Sequence, residues 1–157
     1  MWTRWPSEFT LSVTANFSQH FPRLQPRYCT NGLSPADCSY NCIAWATSNS
    51  SDWWEPDPFY QYYWPEEAPR KYTMEAYLAA FRSRGFEVCN DGSLEVGTEK
   101  IVIYELQGKP KHAARQLANG NWTSKMGDFE DVEHLELSCL GGPFYGEPSV
   151  YMARKIT

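Results

Sequence analysis

Apolar positions recur at helical spacing in one clear stretch of the chain, where Met74, Tyr77, Leu78 and Phe81 fall at i, i+3, i+4 and i+7. Thr73 suits the cap, Glu75 the first turn and Gly85 the residue after the last turn, so the pattern predicts a helix starting at Thr73 and stopping before Gly85. A shorter helix is predicted at 42–46. Asn41 is its cap, because its side-chain oxygen can accept from backbone N–H groups one turn on, and Ile43, Ala44, Trp45 and Ala46 form a mostly apolar turn. The later half of the chain changes to strand patterns. Residues 86–89 precede an Asn90-Asp91-Gly92 turn, and the β-branched run 100–106 is bounded by Gly97 and Gly108. The runs 111–117 and 122–126 flank Asn119-Gly120, a strong hairpin signal, and a last strand is predicted at 149–154. Residues 1–36 carry Pro6, Pro22, Pro26 and Pro35 without periodicity and read as an irregular arm packed on a core of 37–157. The order predicts an α+β fold, with helices segregated from a small antiparallel sheet on which they pack.

Length and composition narrow the class. A chain of 157 residues fits one domain, 1–157, large enough to bury a core without metal or disulfide staples. A formal charge of −5 with no basic run removes the electrostatic term that dominates nucleic-acid affinity, so no nucleic-acid partner is expected. No apolar run approaches a membrane span and the N-terminus lacks a signal-peptide pattern, so the expected compartment is cytoplasmic, with no membrane partner. Cys29, Cys38, Cys42, Cys89 and Cys139 are odd in number and scattered without a CxxC pair, which supports neither a disulfide framework nor a metal site, and no cofactor is expected.

Cys42 is the first candidate for chemistry. At the first position of its helix, the positive end of the backbone dipole favours thiolate over thiol. A nucleophilic cysteine needs a base, and the chain offers only His20, His112 and His134. His112 opens a strand, a rigid place to display an imidazole. Ser124 follows on the next strand, and its orientation depends on the hairpin. A two-residue Asn119-Gly120 loop puts Thr123 and Lys125 on the side of His112 and turns Ser124 away; a three- or five-residue loop brings Ser124 to the histidine's face. On the His112 face, Lys125 would disfavour imidazolium and could bind a substrate carboxylate. The charged run at Asp128, Asp131 and Glu133 reads as a solvated turn, with His134 or one of these acids folding back as the alternative third group. The segment 48–65 is dense in aromatics and acids. Trp53 and Trp54, with Trp45 on the helix, are candidates for a cleft wall, against the alternative of an aromatic plug over the core.

Asn41-Cys42 on a helix start, followed about 70 residues later by His112-Ala113-Ala114 on the first strand of a hairpin, resembles the papain-like superfamily, in particular its compact NlpC-type cell-wall peptidases and amidases. Ser124 departs from the usual His, Asn, Gln or acidic third residue. The segments 40–46, 91–95, 112–117, 122–127 and 131–134 also resemble an uncharacterised microbial domain family of unknown function, over nearly the whole chain after residue 15. The resemblance implies a papain-like, NlpC-type fold and a cysteine-dependent hydrolase or acyl/amide transferase. In it Cys42 attacks a carbonyl, His112 moves the proton, and Ser124 or His134 orients the imidazole. The expected substrate is a peptide or small-molecule amide, thioester or isopeptide. A catalytically idle scaffold that binds a peptide or small ligand through the aromatic segment is the alternative.

Overall fold

The structure is a computed structural model describing residues 21–23, 29–34, 37–126 and 131–156, with 29–34 described in backbone only. Both capped helices form. Helix α1 is Cys42–Ala46, with the Asn41 side chain accepting from the Ala44 N–H. Helix α2 is Met74–Arg82, with the Thr73 hydroxyl accepting from the Ala76 N–H and Ala76, Tyr77, Ala80 and Phe81 turned inward. The strands are β1 Cys29–Ser34, β2 Glu87–Cys89, β3 Thr98–Leu106, β4 Lys109–Gln116, β5 Trp122–Lys125, β6 Asp131–His134 and β7 Glu147–Lys155. A 3₁₀ turn at Leu137–Leu140 precedes β7.

The expected class, a papain-like, NlpC-type α+β fold with helices packed on a small sheet, does not hold. Among the described residues the regular structure is mostly one seven-stranded sheet in the order β1-β6-β5-β4-β3-β7-β2, with antiparallel pairing throughout and helices of only five and nine residues. The sheet outgrows the expectation because two strands come from segments without a strand pattern. β1 lies in the Pro-containing arm expected to be irregular, and β6 is the polar run Asp131-Val132-Glu133-His134, which pairs with β1 on one side and β5 on the other. A charged stretch expected in solvent is therefore interior: Asp131, Glu133 and His134 are buried. His20 and Asp128 lie outside the described residues.

Strand alternation divides the core in two. Ile101, Ile103, Ala113 and Met152 face α1 and α2 and pack with Ile43, Ala44, Trp54, Tyr77, Phe81 and Phe86. Val102, Tyr104, Ala114, Trp122, Met126 and Val132 face the other way and pack with Phe21, Leu140 and Tyr145.

Turn chemistry sets the register. Leu106 pairs with Lys109 around Gln107 and Gly108, both at positive φ (53° and 79°), as a right-twisting two-residue hairpin requires. The next hairpin is longer: the Leu117 N–H bonds the Asn121 carbonyl at 2.7 Å, leaving a three-residue loop 118–120 with Gly120 at φ 91°. Arg115 consequently pairs with Thr123, and His112 and Ser124 share a face.

Gly146 is the tightest backbone position. Its φ is +79°, it pairs with Gly142 in an isolated bridge, and a Cβ there would lie 1.9 Å from the Glu105 carbonyl oxygen. Gly108 has the same φ of +79° with nothing within 4 Å of its added Cβ. The two glycines separate strain from collision. Gly108→Ala should cost about 1 kcal/mol in urea unfolding, the left-handed penalty alone, and Gly146→Ala at least about 3 kcal/mol. Equal unfolding midpoints would show that the 142–146 turn is not held against β3.

Candidate active site

The site lies where β4 and β5 part. They pair only at Arg115–Thr123 and Gln116–Trp122. Toward His112, side chains span the gap. The Nε2 of His112 is 2.8 Å from the Ser124 hydroxyl, and the same hydroxyl is 2.8 Å from Nε2 of His134. The Nδ1 of His134 is 3.0 Å from the backbone carbonyl of Glu136. All three side chains are 0% exposed, so the chain of bonds is closed to bulk water.

The carbonyl at one end assigns every proton. A carbonyl only accepts, so Nδ1 of His134 carries hydrogen and, in the neutral ring, its Nε2 accepts. The Ser124 O–H must therefore donate to His134, which leaves the serine oxygen to accept from Nε2–H of His112. The Nδ1 of His112 is then a bare lone pair, and it is buried with no hydrogen-bond partner. Burial, the first cause for both rings, keeps them neutral: it holds His112 well below 6.5 and brings His134 to about 4. The His112 ring is fixed from its faces. Tyr145 stacks on it at 4.0 Å with planes 6° apart, and Tyr104 meets it edge-on at 5.2 Å.

Cys42 reaches β4 from the helical side, the face opposite the His112 ring, and no hydrogen bond joins its sulfur to Nδ1 of His112. At Ala113, where β5 no longer pairs, the backbone N–H lies close enough to the Cys42 sulfur to favour its thiolate, as do the N–H groups of Cys42 and Ile43. The sulfur thus lies near the residue next to His112 on β4, and a thiolate there would raise the Tyr145 hydroxyl further, second to burial. Burial outweighs the three N–H groups and the Lys125 charge and pushes the Cys42 thiol up to about 11, so the helix start does not by itself yield a thiolate at neutral pH.

The remaining candidates serve the walls. Lys125 points away from His112 and is fully buried, donating to the Asp37 carbonyl at 2.6 Å and lying 4.9 Å over the Tyr40 ring. It presents nothing to a substrate carboxylate. Trp54 is 1% exposed in the core, with its backbone N–H and carbonyl clamped by the Asn41 amide, and it presents no surface to a cleft. Trp53 is half-buried and donates to Glu55. Trp45 stacks on Tyr40 and donates to the Thr123 hydroxyl at 3.0 Å, tying α1 to β5. Three participants had no role assigned from sequence: the Glu136 carbonyl, the Ala113 N–H and Tyr145. Backbone groups leave no residue-type signal, whereas Tyr145 is flagged by the crowded glycine that follows it. Among the described residues, no group of three His, Cys, Asp or Glu side chains is arranged to hold a metal ion. No helix among them is long and apolar enough to cross a membrane.

The model of a domain of unknown function, DUF7689, matches residues 31–153, and the chain belongs to that family. No curated protein and no solved structure matches it.

The buried neutral imidazoles make stability depend on pH. With folded values below 6.5, the unfolded chain binds more protons between about 4 and 6.5, so stability is complete above that window and is lost as pH falls through it. Urea unfolding should lose about 2 kcal/mol per imidazole between pH 7 and pH 5. The slope should shrink in His134→Gln. A flat profile from pH 7 to pH 5 would contradict the neutral assignment.

Proposed function

We propose that this DUF7689 domain is a cysteine-dependent hydrolase or acyl transferase acting on an amide, thioester or isopeptide bond, with Cys42 as nucleophile and His112 as its base. One observation carries the reading: the hydrogen-bond chain from the Glu136 carbonyl leaves His112 with an unprotonated, unbonded Nδ1, next on β4 to the residue whose N–H lies near the Cys42 sulfur.

The reaction requires the Cys42 sulfur and Nδ1 of His112 to come within hydrogen-bond reach when substrate binds; the sulfur then bonds to the substrate carbonyl carbon while its proton passes to Nδ1 of His112, and the carbonyl electrons move to oxygen. The N–H groups of Ala113, Cys42 and Ile43 take up negative charge on sulfur as the proton leaves. Collapse of the adduct expels the amine or thiol, which takes the proton back from Nδ1, and leaves a thioester on Cys42. Water or a second nucleophile then attacks that thioester, giving its proton to Nδ1, and Cys42 leaves and recovers it. Ser124 and His134 act as positioning residues that keep hydrogen on Nε2 of His112, so that Nδ1 faces each transfer empty.

A second reading, a catalytically idle scaffold, draws on the complete burial of His112 and a thiol pushed up to about 11. Acylation by a small activated thioester separates the two, read by mass spectrometry at each cysteine. A free thiol of that acidity reacts about tenfold faster per pH unit, following its thiolate fraction. General-base attack through an already neutral His112 gives a rate at Cys42 that is flat from pH 6 to pH 8. The flat profile should be lost with a drop of about 100-fold in His112→Ala, and Ser124→Ala should fall about tenfold. Acylation of Cys42 that climbs with pH like that of exposed Cys38, or that ignores His112→Ala, would favour the scaffold.

A further inference from the structure

Beyond Ala113, β4 continues to Arg115, on the same face of the sheet and about 7 Å further along. The Arg115 guanidinium lies 4.8 Å over the ring of Trp45. Its Nε is shielded from solvent with no partner, and its guanidinium makes no hydrogen bond or ion pair among the described residues. The acids around it are engaged elsewhere: Glu99 bonds Arg154, Glu95 lies 3.6 Å from the Lys100 ammonium, and Asp131 accepts from the Tyr40 hydroxyl. Burial lowers Arg115 below its ordinary value, and Glu99 and Asp131 offset this only through space.

A half-buried guanidinium without an anion is costly, and it is suited to take two oxygens of one carboxylate side by side. Arg115 borders an open cleft of about 370 Å³ whose other walls include Leu94, Val96, Leu117 and Ile156, together with Glu95 and Glu99, whose charges are met by Lys100 and Arg154. Val96 is 100% exposed, Leu94 52% and Ile156 59%, so three aliphatic side chains stand in solvent near one cation that no carboxylate contacts directly. We propose that this cleft binds an organic carboxylate on a short apolar body, with the carboxylate on Arg115 and the body on the aliphatic wall. The site is separate from the nucleophile reading: it requires no chemistry at Cys42, and it is tested in the full chain carrying Cys42→Ser.

The probes are N-acetyl-leucine and its neutral isostere N-acetyl-leucinamide, titrated against the chain with backbone amides followed by NMR. N-acetyl-leucine should bind saturably in the millimolar range, with shifts centred on 94–99, 115–118 and Ile156. The amide should bind at least about tenfold more weakly, and Arg115→Gln should cost N-acetyl-leucine about tenfold. Val96→Glu, at a fully exposed position, should weaken N-acetyl-leucine several-fold with the fold intact, which keeps the test decisive should Arg115→Gln not fold. Equal binding of acid and amide, shifts confined to other regions, no saturable binding of N-acetyl-leucine, or indifference to Val96→Glu would each overturn the proposal.

Discussion

A backbone carbonyl sets the chemistry of this protein's interior. Because the Glu136 oxygen can only accept, His134, Ser124 and His112 have one consistent arrangement of protons in their neutral forms, and it ends on a bare nitrogen. A carboxylate in the place of Ser124 would also orient His112, but it would stabilise imidazolium and raise the pKa of the base. A serine backed by a neutral histidine fixes the tautomer without adding charge, so burial is left to dominate and His112 stays a weak, uncharged base. The thiol it would serve is raised by the same burial. Both partners are neutral at rest, and a proton would move between them only as a carbon–sulfur bond forms.

The fold supplies this arrangement through β4, which presents different groups to its two faces. His112 and Ala114 face Tyr104, Tyr145 and Ser124; Ala113 and Arg115 face α1. The parting of β4 and β5 matters as much as their pairing. Where the ladder stops, a backbone N–H is available to the Cys42 sulfur, and a side-chain bridge replaces the main-chain bonds. Irregular pairing of β3 with both neighbours around Tyr104 falls beside the same histidine. The bridge between Gly142 and Gly146, pressed against the Glu105 carbonyl, carries Tyr145 over the ring.

Much of this was legible from residue order. Asn41 caps the helix that places Cys42 at its first position, Thr73 caps the second, and the period of Met74, Tyr77, Leu78 and Phe81 marks its buried side. The place of Ser124 was open because Asn119-Gly120 is compatible with more than one loop length, and one residue of register reverses every side chain. The fold class was misjudged for a related reason. Strand signals rest on alternating or β-branched apolar residues, and Asp131-Val132-Glu133-His134 has one apolar position in four; its burial follows from partners on β1, β5 and the loops, such as Tyr40 on Asp131 and Asn119 and Asn121 on Glu133. Trp54 and Lys125 show the converse. Their types suggest a surface role, yet both are interior, the lysine held by a carbonyl and an aromatic face.

The most direct test of the account is the protonation of the two imidazoles in the folded protein, read from the nitrogen resonances of His112 and His134 by two-bond ¹H–¹⁵N correlation at pH 7.5. The account predicts two neutral rings of opposite tautomer, His112 with hydrogen on Nε2 and a bare Nδ1, and His134 with hydrogen on Nδ1. Hydrogen on Nδ1 of His112, or a doubly protonated ring at either position, would contradict it and remove the base from the proposed reaction.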